Sequence, residues 1–108
     1  MSFIRHLFFF AALVLLASPL SASPQDQFFD QLSQLCGQAF KGQLTHHARP
    51  SDDGWLGRDV VINVLTCTDD EIRIPLHVGE NRSRTWVIQK RADRLILKHD
   101  HHHEDGSE

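Results

Sequence analysis

The sequence has no glycine-rich loop that could cradle a phosphate, no serine in a glycine-flanked elbow, and no apolar run long enough to cross a bilayer. The first two absences leave nucleotide hydrolysis and esterase chemistry without a motif. A basic stripe is missing too: eleven Lys and Arg are interspersed with fourteen Asp and Glu, for a net charge of −3, so nothing would track a nucleic-acid backbone. There is no internal repeat, no low-complexity linker and no shift in composition that would mark a second domain. Cysteine is scarce, with two residues in 108.

What is present begins with a leader. Arg5 and His6 give a short polar start, an apolar run extends from Leu7 to Leu16, and Pro19-Leu20-Ser21-Ala22 supplies the small residues of a cleavage site. About ten apolar residues fall well short of the roughly 20 that span a membrane. Residues 1–22 are therefore expected to be a signal peptide, and Cys36 lies too far downstream to be a lipidated first residue. Residues 23–108, about 86 residues, form a single small β-rich domain near the lower size limit for an unaided core. The expected compartment is secreted or periplasmic. There, an isolated cysteine pair is most simply a disulfide, Cys36 to Cys67. It closes a loop of about 30 residues and contributes on the order of 3 kcal/mol.

Residues 24–35 read as a short amphipathic helix. Phe28, Phe29, Leu32 and Leu35 recur at helical spacing, Pro24 and Asp26 mark the start and Gly37 the end. This helix is expected as a lid packed on a sheet. Residues 38–46 form the first strand, with Gly42 marking a bulge or bend and His46 and His47 at its end. Arg49-Pro50-Ser51-Asp52-Asp53-Gly54 is turn chemistry, and Trp55 behind it is expected to cover an open end of the core. Residues 59–68 make the second strand, with Val60, Ile62 and Val64 on one face and Val61, Leu65 and Cys67 on the other.

The clearest pattern follows. Ile72, Ile74, Leu76 and Val78 alternate with Glu71, Arg73, Pro75 and His77. A turn is due at Gly79 to Arg82, Trp86 and Ile88 stand opposite Val87, and another turn falls near Ala92-Asp93. Leu95, Leu97, His99 and His101 then share one face, with Ile96, Lys98, Asp100 and His102 on the other. The fold class is mainly β: an N-terminal short helix packed on a five-stranded antiparallel up-and-down meander. Ile72, Ile74, Leu76, Trp86, Ile88, Leu95 and Leu97 are expected to form one core face, with residues 102–108 as a polar tail.

The blocks Asp70-Glu71-Ile72-Arg73-Ile74-Pro75-Leu76-His77-Val78-Gly79, Arg82-Ser83-Arg84-Thr85-Trp86 and Leu97-Lys98-His99-Asp100-His101-His102-His103-Glu104-Asp105-Gly106-Ser107 make the chain resemble an uncharacterised family of small secreted bacterial proteins. Cys36-Gly37-Gln38-Ala39-Phe40-Lys41-Gly42 is similar to a further block of that family. The resemblance implies secretion and a sheet that further strands would extend towards a lipocalin-like half barrel. With this sequence stopping at Glu108, both a whole and a truncated half barrel stay open. No chemistry comes with it.

Two constellations are candidate sites. His99 and His101, two residues apart on one strand face, stand about 6.5 to 7 Å apart, from where two imidazoles can converge on zinc or copper with Glu104 as a third donor. Against this stands an ordinary role for histidines on a strand or in a solvated tail. Arg73, His77 and Arg84 form a second candidate, an anion or ligand face, whose ordinary alternative is ion pairing with Glu71. No catalytic residue is assigned, and no motif in the sequence supports enzymatic activity. The leading expectation is a non-enzymatic binding or structural sheet domain of unknown ligand, with a small ligand or a metal ion as the candidate partners. Divalent transition-metal binding through the His99/His101 strand is the alternative, and a small metal-dependent hydrolase the further one.

Overall fold

The computed structural model of the protein describes residues 15–18, 20–46 and 49–108. Most of the expected signal peptide, and His47, lie outside the described residues. Among the described residues, no helix is long and apolar enough to cross a membrane.

Among the described residues the chain forms one short α-helix and an open, six-stranded antiparallel sheet, so the fold is mainly β. Helix α1 spans Pro24–Ser33 and is capped by Ser23, whose hydroxyl accepts from the Asp26 amide at 3.2 Å. Proline in its first turn fits because it has no amide proton that would go unbonded there. The helix tightens at its end through Leu35 to Leu32 and Cys36 to Ser33 amide–carbonyl bonds, and Gly37 turns the chain with φ of 86°. The Gly37 amide then donates to the Val64 carbonyl, and the Val64 amide to that of Gln38, which locks the helix exit onto the sheet.

The strands are β1 (Ala39–Gly42), β2 (Val60–Asn63), β3 (Thr66–Cys67), β4 (Glu71–Val78), β5 (Asn81–Lys90) and β6 (Leu95–His101). They lie in the order β1-β2-β4-β5-β6, with β3 also on β4. The meander is as expected, with three differences. Gly42 ends β1 instead of bending a longer strand. The second strand is broken in two by a bulge at Val64 and Leu65: Ile62 pairs with Leu76, whereas Thr66 pairs with Arg73, so one extra residue has entered. That insertion flips every later side chain, so Cys67 pairs with Ile72 on the face of Ile62 and not on the face of Val61 where strict alternation puts it. Finally, residues 102–104 are not a loose tail. The His102 amide donates to the Ser83 carbonyl and the Arg82 amide to that of Glu104, continuing the pairing with β5 beyond β6.

The flipped Cys67 faces the helix side and forms the disulfide with Cys36. Beneath α1 lies the core: Phe29, Val64, Ile72, Ile74 and Ile88 are buried, with Leu32, Leu35, Ile62, Cys67 and Leu95 packed around them. Phe28, by contrast, is 53% exposed, so only the second phenylalanine of the pair belongs to the lid. Of the expected core face, Ile72, Ile74, Leu76 and Ile88 are buried and Leu95 is half-buried. Trp86 and Leu97 share their face but stay exposed, because a ten-residue helix covers only one end of the sheet. Val87 is 1% exposed on the opposite, polar face. It sits between Arg73 and Lys98 in the ladder, where long side-chain stems can shield it.

Candidate functional site

The register lays out the helix-side face in rows across the strands. One row runs Phe40, Ile62, Leu76, Arg84, His101; the next runs Ile74, Trp86, His99; a third runs Ile72, Ile88, Leu97. Helix α1 covers Ile72 and Ile88 of the third and leaves Leu97 exposed. Over the first lies a short 3₁₀ helix, Pro50–Trp55, whose end delivers Trp55 to the sheet. Between Trp55 and the sheet opens a cavity of 280 Å³ whose walls are mostly apolar: Phe40, Leu44, Trp55, Val60 and Ile62, with Lys41, Gly42 and Gln43 of the same edge segment. Trp55 thus covers an open part of the inner face, as expected, and also walls a cavity there.

His99 and His101 do share this face. Their ring centroids are 6.0 Å apart, and His99 lies 4.7 Å from the ring of Trp86, tilted by 41°. Glu104 does not join them. It sits past the strand end in a turn, beside Trp55, Arg58 and Arg84, and no group of three or more His, Cys, Asp and Glu is gathered for a metal among the described residues. A metal held by the histidine pair would have to complete its shell with water.

The trio Arg73, His77 and Arg84 is split by the sheet. Arg73 and His77 lie on the polar face, but Arg84 pairs with Leu76 and so lies on the helix-side face. Arg73 is occupied by Asp100, with Glu71 at 3.7 Å, so the ion-pairing alternative describes it better than a free anion site. His77 meets Arg82, whose Nη1 is 2.8 Å from Nδ1. A second bulge makes this contact: Leu76 pairs with Arg84 but Val78 with Asn81, which puts two residues, Arg82 and Ser83, opposite His77.

The His77 imidazole is held below its ordinary pKa, first by burial and then by the Arg82 guanidinium. An unfolded histidine titrates near pH 6.5, so between that value and the lower native one the unfolded chain takes up a proton that the folded chain refuses. The stability associated with His77 is therefore complete above about pH 6.5 and falls as the pH drops below it. His77→Gln is expected to reduce the loss of stability between pH 7.5 and pH 5, measured as the difference in urea midpoints. An unchanged difference would show that His77 is as readily protonated in the fold as in the unfolded chain.

Arg84, which the sequence placed with Arg73 and His77, and Arg58, which it did not single out, complete the helix-side face. The Arg84 guanidinium stacks over Trp55, 5.2 Å from the ring centroid, and Arg58 lies against the β4–β5 turn. Gly79 opens that turn with φ of 57°, and a Cβ there would stand 3.5 Å from Arg58 Cδ and Nη1. The position of Arg84 was legible, since it precedes Trp86 by two residues. That of Arg58 was not, because a loop residue carries no periodic signal. No protein-family model, curated protein or solved structure matches this chain.

Proposed function

We propose that this protein is a non-enzymatic binding domain acting outside the cytoplasm, and that it holds a small apolar ligand in the trough between Trp55 and the inner face of β1 and β2. The leader-like N-terminus and the disulfide support the compartment. The observation that carries the ligand reading is the 280 Å³ cavity lined by Phe40, Leu44, Trp55, Val60 and Ile62. Its size lies near the lower end for small-molecule sites, and predominantly apolar walls with an aromatic lid are what such sites use. Phe40 keeps 41% of its surface exposed, so filling the trough would remove that surface from water.

The test uses a Trp86→Phe variant, in which Trp55 is the only tryptophan. Titration with the neutral fluorophore N-phenyl-1-naphthylamine should quench Trp55 saturably at one probe per chain. Phe40→Ala should weaken this by about tenfold, the equivalent of losing part of one buried aromatic contact. Absence of saturable quenching, or indifference to Phe40→Ala, would reject the trough as the ligand site.

A second reading is weak divalent transition-metal binding through His99 and His101, favoured by their shared face and the 6.0 Å separation of their rings. Affinity for zinc or copper should fall as pH drops through about 6.5, because a protonated imidazole has no lone pair to donate. Replacing both His99 and His101 by Ala should abolish stoichiometric binding in a calorimetric titration, while replacing His102 and His103 should not. Loss that tracks the number of histidines removed, and not their positions, would count against a site. A hydrolase would need further donors to hold a reactive metal-bound water, and no third His, Cys, Asp or Glu is gathered beside the pair among the described residues.

A further inference from the structure

We propose that the ligand is an amphiphile with a single carboxylate head, its apolar chain in the trough and its head between Arg58 and Arg84; this rests on the trough being a ligand site. Trp55 lines not one cavity but two. It also walls a second, polar cavity of 260 Å³, which Phe40 does not line, together with Arg58, Asn81, Arg84 and Glu104. The first row of the sheet leads from one to the other: Phe40, Ile62 and Leu76 are apolar, and the next residue across is Arg84. Three strand spacings separate Phe40 from Arg84, about 14 Å, and the character of the row changes from apolar to cationic along that distance.

Neither guanidinium is neutralised by an ion pair among the described residues. Arg84 is oriented by neutral groups, with Nη1 3.3 Å from Ser83 Oγ and 3.5 Å from Asn81 Oδ1, and its Cζ lies over the Trp55 ring at 5.2 Å from the centroid. Asn81 belongs to the same turn that Arg58 leans on, so one corner of the sheet presents both cations. A planar guanidinium with free donors matches a carboxylate. Glu104 shares the cavity and sets the charge of the head. Two guanidiniums and one carboxylate leave one positive charge, which a monoanion balances and a dianionic phosphate would overshoot.

The experiment compares decanoate, decanol and decyl phosphate at pH 8 by Trp55 fluorescence in the Trp86→Phe background. Decanoate should bind about tenfold more tightly than decanol, and more tightly than decyl phosphate. Raised salt should weaken decanoate and leave decanol unchanged. Arg84→Gln, which can keep the neutral hydrogen bonds of the turn, and Arg58→Gln should each erase most of the preference for decanoate over decanol, read as the ratio of the two affinities in each variant. Glu104→Gln should shift the preference towards decyl phosphate. If decanol binds as tightly as decanoate in the parent protein, or if the preference survives both arginine substitutions, the carboxylate head is refuted while the trough stands. If neither decanoate nor decanol binds, the trough itself fails and the proposal with it.

Discussion

Phe29→Ala is expected to destabilise the domain by about 3 to 5 kcal/mol, and Phe28→Ala next to it by no more than about 0.5 kcal/mol. The two residues have the same side chain and the same helix, and differ only in the direction they point. Phe29 is 1% exposed and packs with Val64, Ile72, Ile74 and Ile88, whereas Phe28 looks into solvent. Removing Phe29 leaves a cavity bounded on one side by a ten-residue helix and on the other by paired strands, and neither can collapse far into it. Lys90 also loses the ring that its Nζ approaches at 4.9 Å. Small domains have only about 5 to 15 kcal/mol in total, so this one substitution should abolish most of the cooperative urea transition. Similar losses from both substitutions would mean that α1 does not dock on the sheet through this face.

Breaking the Cys36–Cys67 disulfide should cost about 3 kcal/mol, from the chain-entropy cost of a closed loop of this length. For a domain of this size that corresponds to a fall in Tm of roughly 10 to 25 °C, read by circular dichroism with and without reductant, or in the Cys36→Ser/Cys67→Ser double variant. The bridge matters beyond its entropy because it joins the exit of α1 to β3. A marginal lid is thereby fastened to the strand face that it covers. Thiol titration of the unreduced, denatured protein should find no free sulfhydryl, since both cysteines are in the bridge. Equal melting temperatures for oxidised and reduced protein would show that α1 docks unaided.

The sequence alone was enough for features that depend on neighbours along the chain. The alternation of Ile72, Ile74, Leu76 and Val78 with Glu71, Arg73, Pro75 and His77 appears unchanged in β4, where each residue of the first set is buried and each of the second half-buried. The turn at Arg91 to Arg94 falls where Ala92 and Asp93 place it, and the helix begins where Pro24 and Asp26 set it. The pairing of the two cysteines followed from their number and the expected compartment. For the same reason His99 and His101 were correctly put on one face with Leu95 and Leu97.

What only the tertiary structure decided were the relations across strands. Period-two alternation gives the face of a residue relative to its own strand, but a single inserted residue reverses everything after it. Neither the bulge at Val64 and Leu65 nor the one at Arg82 and Ser83 contains a glycine or proline to announce it, yet the first turns Cys67 towards the helix and the second brings Arg82 to His77. How much of the inner face the helix covers was equally hidden, because amphipathic spacing reports which side of a helix is apolar and not how far the opposing sheet extends. The exposed Trp86 and Leu97, and the trough closed by Trp55, follow from that mismatch in size. Arg58 and Arg84 come together there because a loop and a strand meet at one corner of the sheet, a meeting of residues 26 positions apart that no local pattern encodes.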